Sequence, residues 1–225
     1  MTSHQDIVLI GRGRIAQGVA EGLRHLPQYR LVAMIGRDAA RLPAASLTVD
    51  AAGPAALRQH GARALRNGEL WTVGAAALLD ADLRERLTDI ARAGGHRLRL
   101  FTPWIAGTSL CASENAARLW ITQSAPRLAA LPGLMFRGGL AEAGRLFPDH
   151  LNTATAAALC GPGIASTRIT LRSATDGAPH RIAARLVLPG QTIRSEALLE
   201  VNGRHPVADA ILAALSRRGD PLRFG

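Results

Sequence analysis

Apolar residues in the first hundred positions follow two periods in turn. Short runs of aliphatic and β-branched residues predict buried strands at 6–10, 30–35, 47–50, 69–74 and 96–101. Apolar positions three or four residues apart predict helices between these strands, over 14–26, 53–68 and 79–93. Strand and helix therefore alternate, and this order is typical of a parallel, doubly wound sheet.

The pattern changes after Pro103. A helix is predicted over 147–163 and a last one over 207–217, which has an apolar face that can pack against the first helix. Turns separate three predicted strands that indicate an antiparallel meander, at 166–173, 179–188 and 191–201. The predicted fold class is α/β, a Rossmann-like doubly wound parallel sheet plus a second α+β domain with an open, mainly antiparallel sheet.

We expect residues 1–105 and 203–225 to form the first domain and residues 106–202 to form the second. The chain has 225 residues, of which 48% are apolar, so it can bury a core without disulfides. The first residues lack the basic segment of a signal peptide, and no apolar run is long enough to span a membrane. We therefore expect a cytoplasmic protein without a membrane partner.

The formal net charge is +10, and all 27 basic residues are arginines. The absence of lysine excludes chemistry that needs a lysine amine, such as a Schiff base or a Walker-type phosphate lysine. The arginines are spread along the chain with little aromatic interleaving, a pattern that favours a compositional bias over a nucleic-acid surface. We expect no nucleic-acid partner, and no cluster of metal ligands is evident.

A glycine turn follows the first predicted strand. Residues 11–16, GRGRIA, match the pattern G-x-G-x-x-A, within a strand–turn–helix unit that makes the match more specific. Gly11 would allow the tight turn and Gly13 the close approach of a diphosphate to the helix start, where Arg14 and Ile15 begin the helix. We predict that Gly11, Gly13, Arg14 and Ile15 bind a dinucleotide; the alternative is a structural corner.

The residues after the second predicted strand bear on the cofactor. NAD-binding folds usually carry an acid there, about 20 residues after the turn, and this chain has Gly36 followed by Arg37 and Asp38. Glycine leaves room for a 2′-phosphate, and Arg37 can pair with it. The cofactor is NADP or NAD, with NADP favoured; in the alternative, Asp38 binds the ribose of NAD.

Several segments together resemble the L-aspartate dehydrogenase family, NAD(P)-dependent enzymes of NAD biosynthesis. They are the stretches 7–23, 49–68, 72–100 and 143–171, and the short sequence PHRI that begins at Pro179. The resemblance covers nearly the whole chain. It implies a Rossmann domain, a second domain whose open sheet supports a homodimer, and oxidation of a small amino-acid substrate at Cα.

Three site residues carry over from this resemblance. It implies that Ala106 in PWIAGTS and Asn152 in FPDHLN contact the cofactor, and that His180 in APHRI is catalytic. Independently of the resemblance, a histidine has an ordinary pKa near ~6.5 and can exchange a proton at neutral pH. Asn152 is also open to interpretation as a helix N-cap.

The chain departs from the family pattern at several points. The family motif NPKTS is HPVAD here, so His205 replaces its asparagine and Val207 its lysine, and the residue after His180 is Arg181. A family segment between 112 and 140 also looks shortened. A buried substrate carboxylate needs a cationic partner, so we expect L-aspartate to be a poor substrate or the preference to be shifted.

The sequence leaves two other functions open. The scaffold could bind a dinucleotide without catalysis, as a sensor or partner protein. A thiol-dependent aldehyde dehydrogenase would use Cys111, although neither cysteine has the local sequence of such enzymes and buried cysteines are common.

Overall fold

A computed structural model describes residues 4–101, 104–111, 116–126, 128–200 and 203–221. The described strands are β1 Gln5–Ile10, β2 Tyr29–Ile35, β3 Leu47–Asp50, β4 Glu69–Thr72, β5 Leu98–Leu100, β6 Arg118–Pro126, β7 Gly133–Gly139, β8 Thr167–Ala174, β9 His180–Leu188 and β10 Gln191–Leu199. The α-helices are α1 Arg14–Leu23, α2 Pro54–Asn67, α3 Ala81–Ala93, α4 Leu140–Leu146, α5 Asn152–Leu159 and α6 Pro206–Ser216. The chain divides into two compact units, residues 1–101 with 203–225 and residues 102–202.

The first unit contains a parallel sheet of order β2-β1-β3-β4-β5. The inner strand β1, between β2 and β3, is almost free of solvent exposure from Ile7 to Ile10, which explains the continuous apolar run there. The predicted doubly wound sheet is confirmed. The chain reverses its direction of winding between β1 and β3, and ligands bind at such a switch point, beyond the carboxyl ends of the strands.

Two predicted helices of this unit differ at their ends. The first ends at Leu23 instead of residue 26, and the residues that follow form turns. The third begins at Ala81 because Asp80 caps it, with its carboxylate accepting from the backbone N–H of Leu83 at 3.1 Å. A separate 3₁₀ turn occupies residues 75–79.

The last helix packs against the first, as predicted. A Cβ built on Gly22 of α1 would lie 2.1 Å from Cδ1 of Leu212 of α6, so the glycine allows the two helices to approach closely. Tyr29 at the start of β2 adds a hydrogen bond from its hydroxyl to the carbonyl of Leu215 at 3.0 Å. These contacts make the end of the chain part of the first unit.

The second unit contains a sheet of order β10-β9-β6-β8-β7, in which only β6 and β8 run parallel. The prediction of a mainly antiparallel sheet is confirmed, but the predicted meander is wrong at one joint. β9 and β10 form the expected hairpin, whereas β6 lies between β8 and β9. Sequence reasoning missed β6, β7 and α4. The helix predicted over 147–163 is confined to α5, and a separate turn precedes it, in which the N–H of His150 donates to the carbonyl of Phe147 at 3.2 Å.

The two faces of this second sheet differ in chemistry. One face is buried and apolar, with Leu119, Ile121 and Ile182 almost fully excluded from solvent. Residues two apart in sequence share a face, so the strand registers place seven arginines on the other face, which we call the open face: Arg118, Arg137, Arg168, Arg172, Arg181, Arg185 and Arg194. No helix in the described ranges is both long and apolar enough to cross a membrane.

Candidate functional site

The turn after β1 is held by both neighbouring strands. The backbone N–H of Gly11 donates to the carbonyl of Ile35 at 2.8 Å, and that of Ala51 donates to the carbonyl of Ile10 at 2.8 Å. Gly11 has a φ of +125°, and a Cβ there would lie 3.1 Å from the backbone of Ala51. Only glycine suits this conformation and this close approach.

Gly13 has a different role in the same turn. It is the N-cap of α1 with an ordinary φ of −80°, and a Cβ built on it would meet no atom within 4 Å. No side chain caps this helix, and its first turn has no acidic residue. Open space in front of an uncapped helix start is the arrangement that binds a diphosphate. The residues present therefore fit the phosphates of a dinucleotide.

The two residues that follow Gly13 are placed by the helix. The guanidinium of Arg14 donates to the carbonyl of Gly203 at 3.3 Å, so the side chain is directed to the loop before α6. Ile15 is half-buried, and Ala16 is fully buried, which keeps α1 close to the sheet. Arg14 and Ile15 are thus positioned to face a ligand through their backbone.

A buried carboxylate organises the adjoining loops, and sequence reasoning missed it. Asp50 ends β3, where it accepts hydrogen bonds from the hydroxyl of Thr72 at 2.6 Å and from the N–H of Ala52 at 2.9 Å. The Thr72 hydroxyl in turn accepts from the N–H of Gly74 at 2.8 Å. Burial raises the pKa of Asp50 to about 6, although these hydrogen bonds act in the opposite direction. The sequence did contain a signal for this residue, since Asp50 is an acidic residue at the end of a predicted buried strand.

The residues after β2 lie beside the glycine turn. His60 of α2, which is buried, contacts the carbonyl of Arg37 through Nε2 at 2.9 Å and fixes the backbone there. The side chains of Arg37 and Asp38 are exposed. A Cβ built on Gly36 would lie 2.7 Å from Oδ1 of Asp38, so the space at position 36 is bounded by this carboxylate.

His180 begins β9 in the second unit. It is half-buried and pairs with Leu199 of β10. Alternation along the strand places His180 on the same face as Ile182, the buried face of the sheet, and Ile182 pairs with Gln123 of β6. The buried Gln123 donates from Nε2 to the carbonyl of His150 at 3.0 Å. It ties β6 to the loop that leads into Asn152, a role that was not predicted because β6 was missed.

Asn152 and Ala106 are placed by different elements of this unit. Asn152 is the first residue of α5, and Leu151 occupies the N-cap, so the interpretation of Asn152 as the cap is wrong. The N–H of Ala106 donates to Oγ of Ser195 in β10 at 3.4 Å. Ser195 precedes Leu199, the partner of His180, by four positions in β10, which corresponds to roughly 13 Å along the strand.

The segment HPVAD builds the start of α6. Nδ1 of His205 accepts from the N–H of Val207 at 3.2 Å, so the histidine acts as an N-cap. Burial lowers the pKa of His205, and the nearby charge of Arg14 acts in the same direction while Asp209 opposes it. Val207 is only 7% exposed within the first unit. This valine therefore contributes to apolar packing.

The alternative of a thiol-dependent enzyme gains no support from the structure. Partial burial raises the pKa of the Cys111 thiol, whereas a nucleophilic cysteine needs a lowered one. Cys111 and Cys160 are both free. Among the residues that the structure describes, no group of three or more potential ligands from His, Cys, Asp and Glu is placed to hold a metal ion.

A parallel sheet of this order, with a glycine turn between its first strand and first helix, defines a Rossmann-type dinucleotide-binding protein. Residues 27–100 match the homoserine dehydrogenase NAD-binding domain family. L-aspartate dehydrogenase of Ruegeria pomeroyi is 35% identical, over 96% of this chain and 94% of that relative. L-aspartate dehydrogenase 2 of Bordetella bronchiseptica is 31% identical, over 94% of this chain and 96% of the relative.

A crystal structure of aspartate dehydrogenase from Thermotoga maritima has the same fold. It matches with a TM-score of 0.76 at 18% identity, over 99% of this chain and 100% of the other. The chain belongs to the L-aspartate dehydrogenase family. It is accordingly an NAD(P)-dependent amino-acid dehydrogenase, and the prediction of this class is confirmed.

Proposed function

We propose that this protein oxidises L-aspartate or a related amino acid at Cα, with NADP as the preferred cofactor. Oxidation at Cα would remove a hydride, for which bound NAD(P)⁺ would be the acceptor, and a proton from the amino group, and would give an imine. Water then adds to the imine and releases ammonia and an oxo acid. The observation that carries this proposal is the open, uncapped start of α1 at Gly13, within a chain of this family.

The chain's own residues divide the work of binding. The backbone at Gly11 and Gly13, with the first residues of α1, would hold the diphosphate through N–H groups and the positive end of the helix. Arg37 would pair with the 2′-phosphate, since Gly36 presents no side chain and no acid at this position. A tenfold preference for NADPH over NADH corresponds to about 1.4 kcal/mol, which one arginine–phosphate pair can supply.

In the second unit, Ala106 and Asn152 would contact the nicotinamide half of the cofactor. His180 would hold the proton exchanged with the amino group and with the water that attacks the imine. Its place on the buried face of the sheet suits this role, because water is limited there and the imidazole is fixed by its strand. Bound NAD(P)⁺ would supply the hydride acceptor.

The protein would work as a homodimer through the open face of the second sheet. Three large apolar side chains there remain exposed, Trp120 of β6, Leu134 of β7 and Leu198 of β10, at 40%, 54% and 57%. Exposed apolar residues on one flat surface favour association with a second surface of the same kind.

The test is a steady-state screen of acidic and neutral amino acids with NAD⁺ and NADP⁺, followed by absorbance of the reduced cofactor. We expect turnover with L-aspartate or a close relative and a lower KM for NADP⁺ than for NAD⁺. A protein that binds both cofactors but turns over no amino acid would contradict the catalytic part of the proposal. A clear optimum for L-aspartate, with kcat/KM of about 10⁴ M⁻¹s⁻¹ or more, would show that the HPVAD segment does not impair its recognition.

A further inference from the structure

The glycine turn brings a second arginine to the end of β2. The hydrogen bond between the N–H of Gly11 and the carbonyl of Ile35 holds the turn beside the last residue of that strand. Arg12 follows Gly11, and Gly36 follows Ile35. A Cβ built on Gly36 would lie 3.9 Å from both Cζ and Nε of Arg12. The guanidinium of Arg12 is therefore directed to the empty position left by Gly36.

This position is the one at which an NAD-binding fold presents its acid to the ribose hydroxyls, about 20 residues after the turn. Here the position carries no side chain, and Arg12 supplies a positive charge beside it. An acid accepts hydrogen bonds from the ribose hydroxyls of NAD, whereas a guanidinium can only donate them. A cation at this point therefore favours an anionic group on the ribose. The 2′-phosphate of NADP is the anion that the cofactor itself provides.

Arg12 is free to meet such a group. Its side chain is exposed, and within the described ranges no ion pair involves it. Its backbone is fixed, because the carbonyl of Arg12 accepts from Nε2 of Gln17 at 3.1 Å. With the backbone held in this way, the entropy that binding would cost is mainly that of ordering the Arg12 side chain.

We propose that Arg12 and Arg37 together clamp the 2′-phosphate beside Gly36, so that Arg12 is a determinant of cofactor specificity. This inference rests on the proposed dinucleotide-binding function. Each guanidinium is planar and can donate two parallel hydrogen bonds to a phosphate. Asp38 acts against the clamp, because its carboxylate borders the same space and repels a phosphate.

The experiment is a fluorescence titration of NADPH and NADH into the wild type and the variants Arg12→Gln, Arg37→Gln and Arg86→Gln. Arg86 is an exposed residue of α3 and controls for the loss of one positive charge. We expect Arg12→Gln to weaken NADPH binding by about tenfold or more and to leave NADH binding within about twofold. Arg86→Gln should change neither affinity, and Asp38→Asn should tighten NADPH binding.

Adenosine 2′,5′-bisphosphate and 5′-AMP serve as probes that lack both the diphosphate and the nicotinamide. Loss of the preference for the bisphosphate in Arg12→Gln supports the clamp. Equal weakening of NADPH and NADH would mean that Arg12 binds the diphosphate, and it would overturn the inference while leaving the proposed function intact. If the wild type binds neither cofactor, both the clamp and the proposed function are wrong. Arg12→Lys keeps the charge without the fork, so its affinity for NADPH should fall between those of wild type and Arg12→Gln.

Discussion

The two units present their proposed ligand groups in different ways. In the first unit, the diphosphate would meet backbone: the turn at Gly11 and Gly13 and the uncapped start of α1. In the second, the reaction would depend on a side chain, His180, which a strand holds on the buried face of the sheet. Backbone recognition restricts which residues can stand in the turn, whereas side-chain recognition depends on which strands lie side by side.

This difference predicts that substitutions in the two units separate binding from turnover. Removal of a side chain in the second unit should affect chemistry with little effect on cofactor affinity. Addition of a side chain in the glycine turn should lower the affinity for the cofactor, whereas the residues that carry out the reaction stay unchanged.

The largest effect is expected from His180→Ala. The imidazole is proposed to hold the proton in both steps, so its loss should lower turnover by roughly 10²- to 10⁴-fold and leave the dissociation constant of NADPH nearly unchanged. Steady-state kinetics and a fluorescence titration measure the two quantities.

His150→Ala is the matched control for this variant. His150 is an exposed histidine of the same unit, and its carbonyl, which accepts from Gln123, remains in alanine. It should retain most of the activity. A His180→Ala protein with wild-type turnover would remove this residue from the mechanism.

The next prediction contrasts two glycines of one turn. Gly13→Val adds a side chain where no protein atom lies within 4 Å, so the protein should fold normally and lose at least about 100-fold in affinity for both cofactors. Gly11→Ala forces a positive φ and a contact of 3.1 Å, so it should lower the free energy of unfolding by about 1–3 kcal/mol. Urea unfolding and cofactor titration separate the two effects. Unfolding of the Gly13→Val protein would contradict the inference that Gly13 serves binding and not folding.

A smaller effect concerns Asp50, which links the loops at the carboxyl ends of β3 and β4. Its pKa is raised from 3.8 to about 6 in the folded state, so the folded protein binds a proton more tightly than the unfolded chain does. The resulting stability is fully present below pH ~3.8 and is lost as the pH rises through about 6.

Asp50→Asn keeps the shape of this side chain but cannot titrate. Between pH ~4 and pH ~8, the wild type should lose about 2 kcal/mol more of its unfolding free energy than Asp50→Asn does. Urea unfolding at both pH values measures this difference. Parallel pH profiles for the two proteins would show that Asp50 titrates normally.

The same contrast explains how much of the molecule could be predicted from its sequence. The inner strands β1, β3 and β4 of the first sheet are buried over most of their length, so they appear as short runs rich in apolar residues, and β3 was predicted with its observed bounds, 47–50. The glycine turn was also predictable, because Gly11 meets a steric requirement of the fold and Gly13 would leave room for the diphosphate.

The second sheet was less predictable because strand pairing is not contained in the period of any one strand. β6 alternates apolar and polar residues and gave a usable signal, which was missed; its insertion between β8 and β9 leaves no local trace. The roles of Gln123 and of the loop before Asn152 depend on that insertion. Sequence reasoning missed the placement of Arg12 for a similar reason, because only the pairing of β1 with β2 brings this residue beside Gly36.

The smallest expected effect concerns the proposed dimer. The open face of the second sheet carries seven arginines, and the paired Glu196 compensates only Arg181. Arg185 lies directly opposite Arg194, and its guanidinium lies 5.5 Å from the ring centroid of Trp120, so the apolar centre of the face is surrounded by positive charge. Two copies that associate through this face must overcome repulsion between like charges. Salt screens such repulsion, with a screening length of about 10 Å at 0.1 M.

We therefore expect the dimer dissociation constant to fall severalfold as NaCl rises from about 0.05 M to about 0.5 M, measured by sedimentation equilibrium. Arg194→Gln should reduce this salt dependence, whereas Arg86→Gln in the first unit should not. A dimer that weakens with salt would instead mean that the arginines of one copy pair with carboxylates of the other.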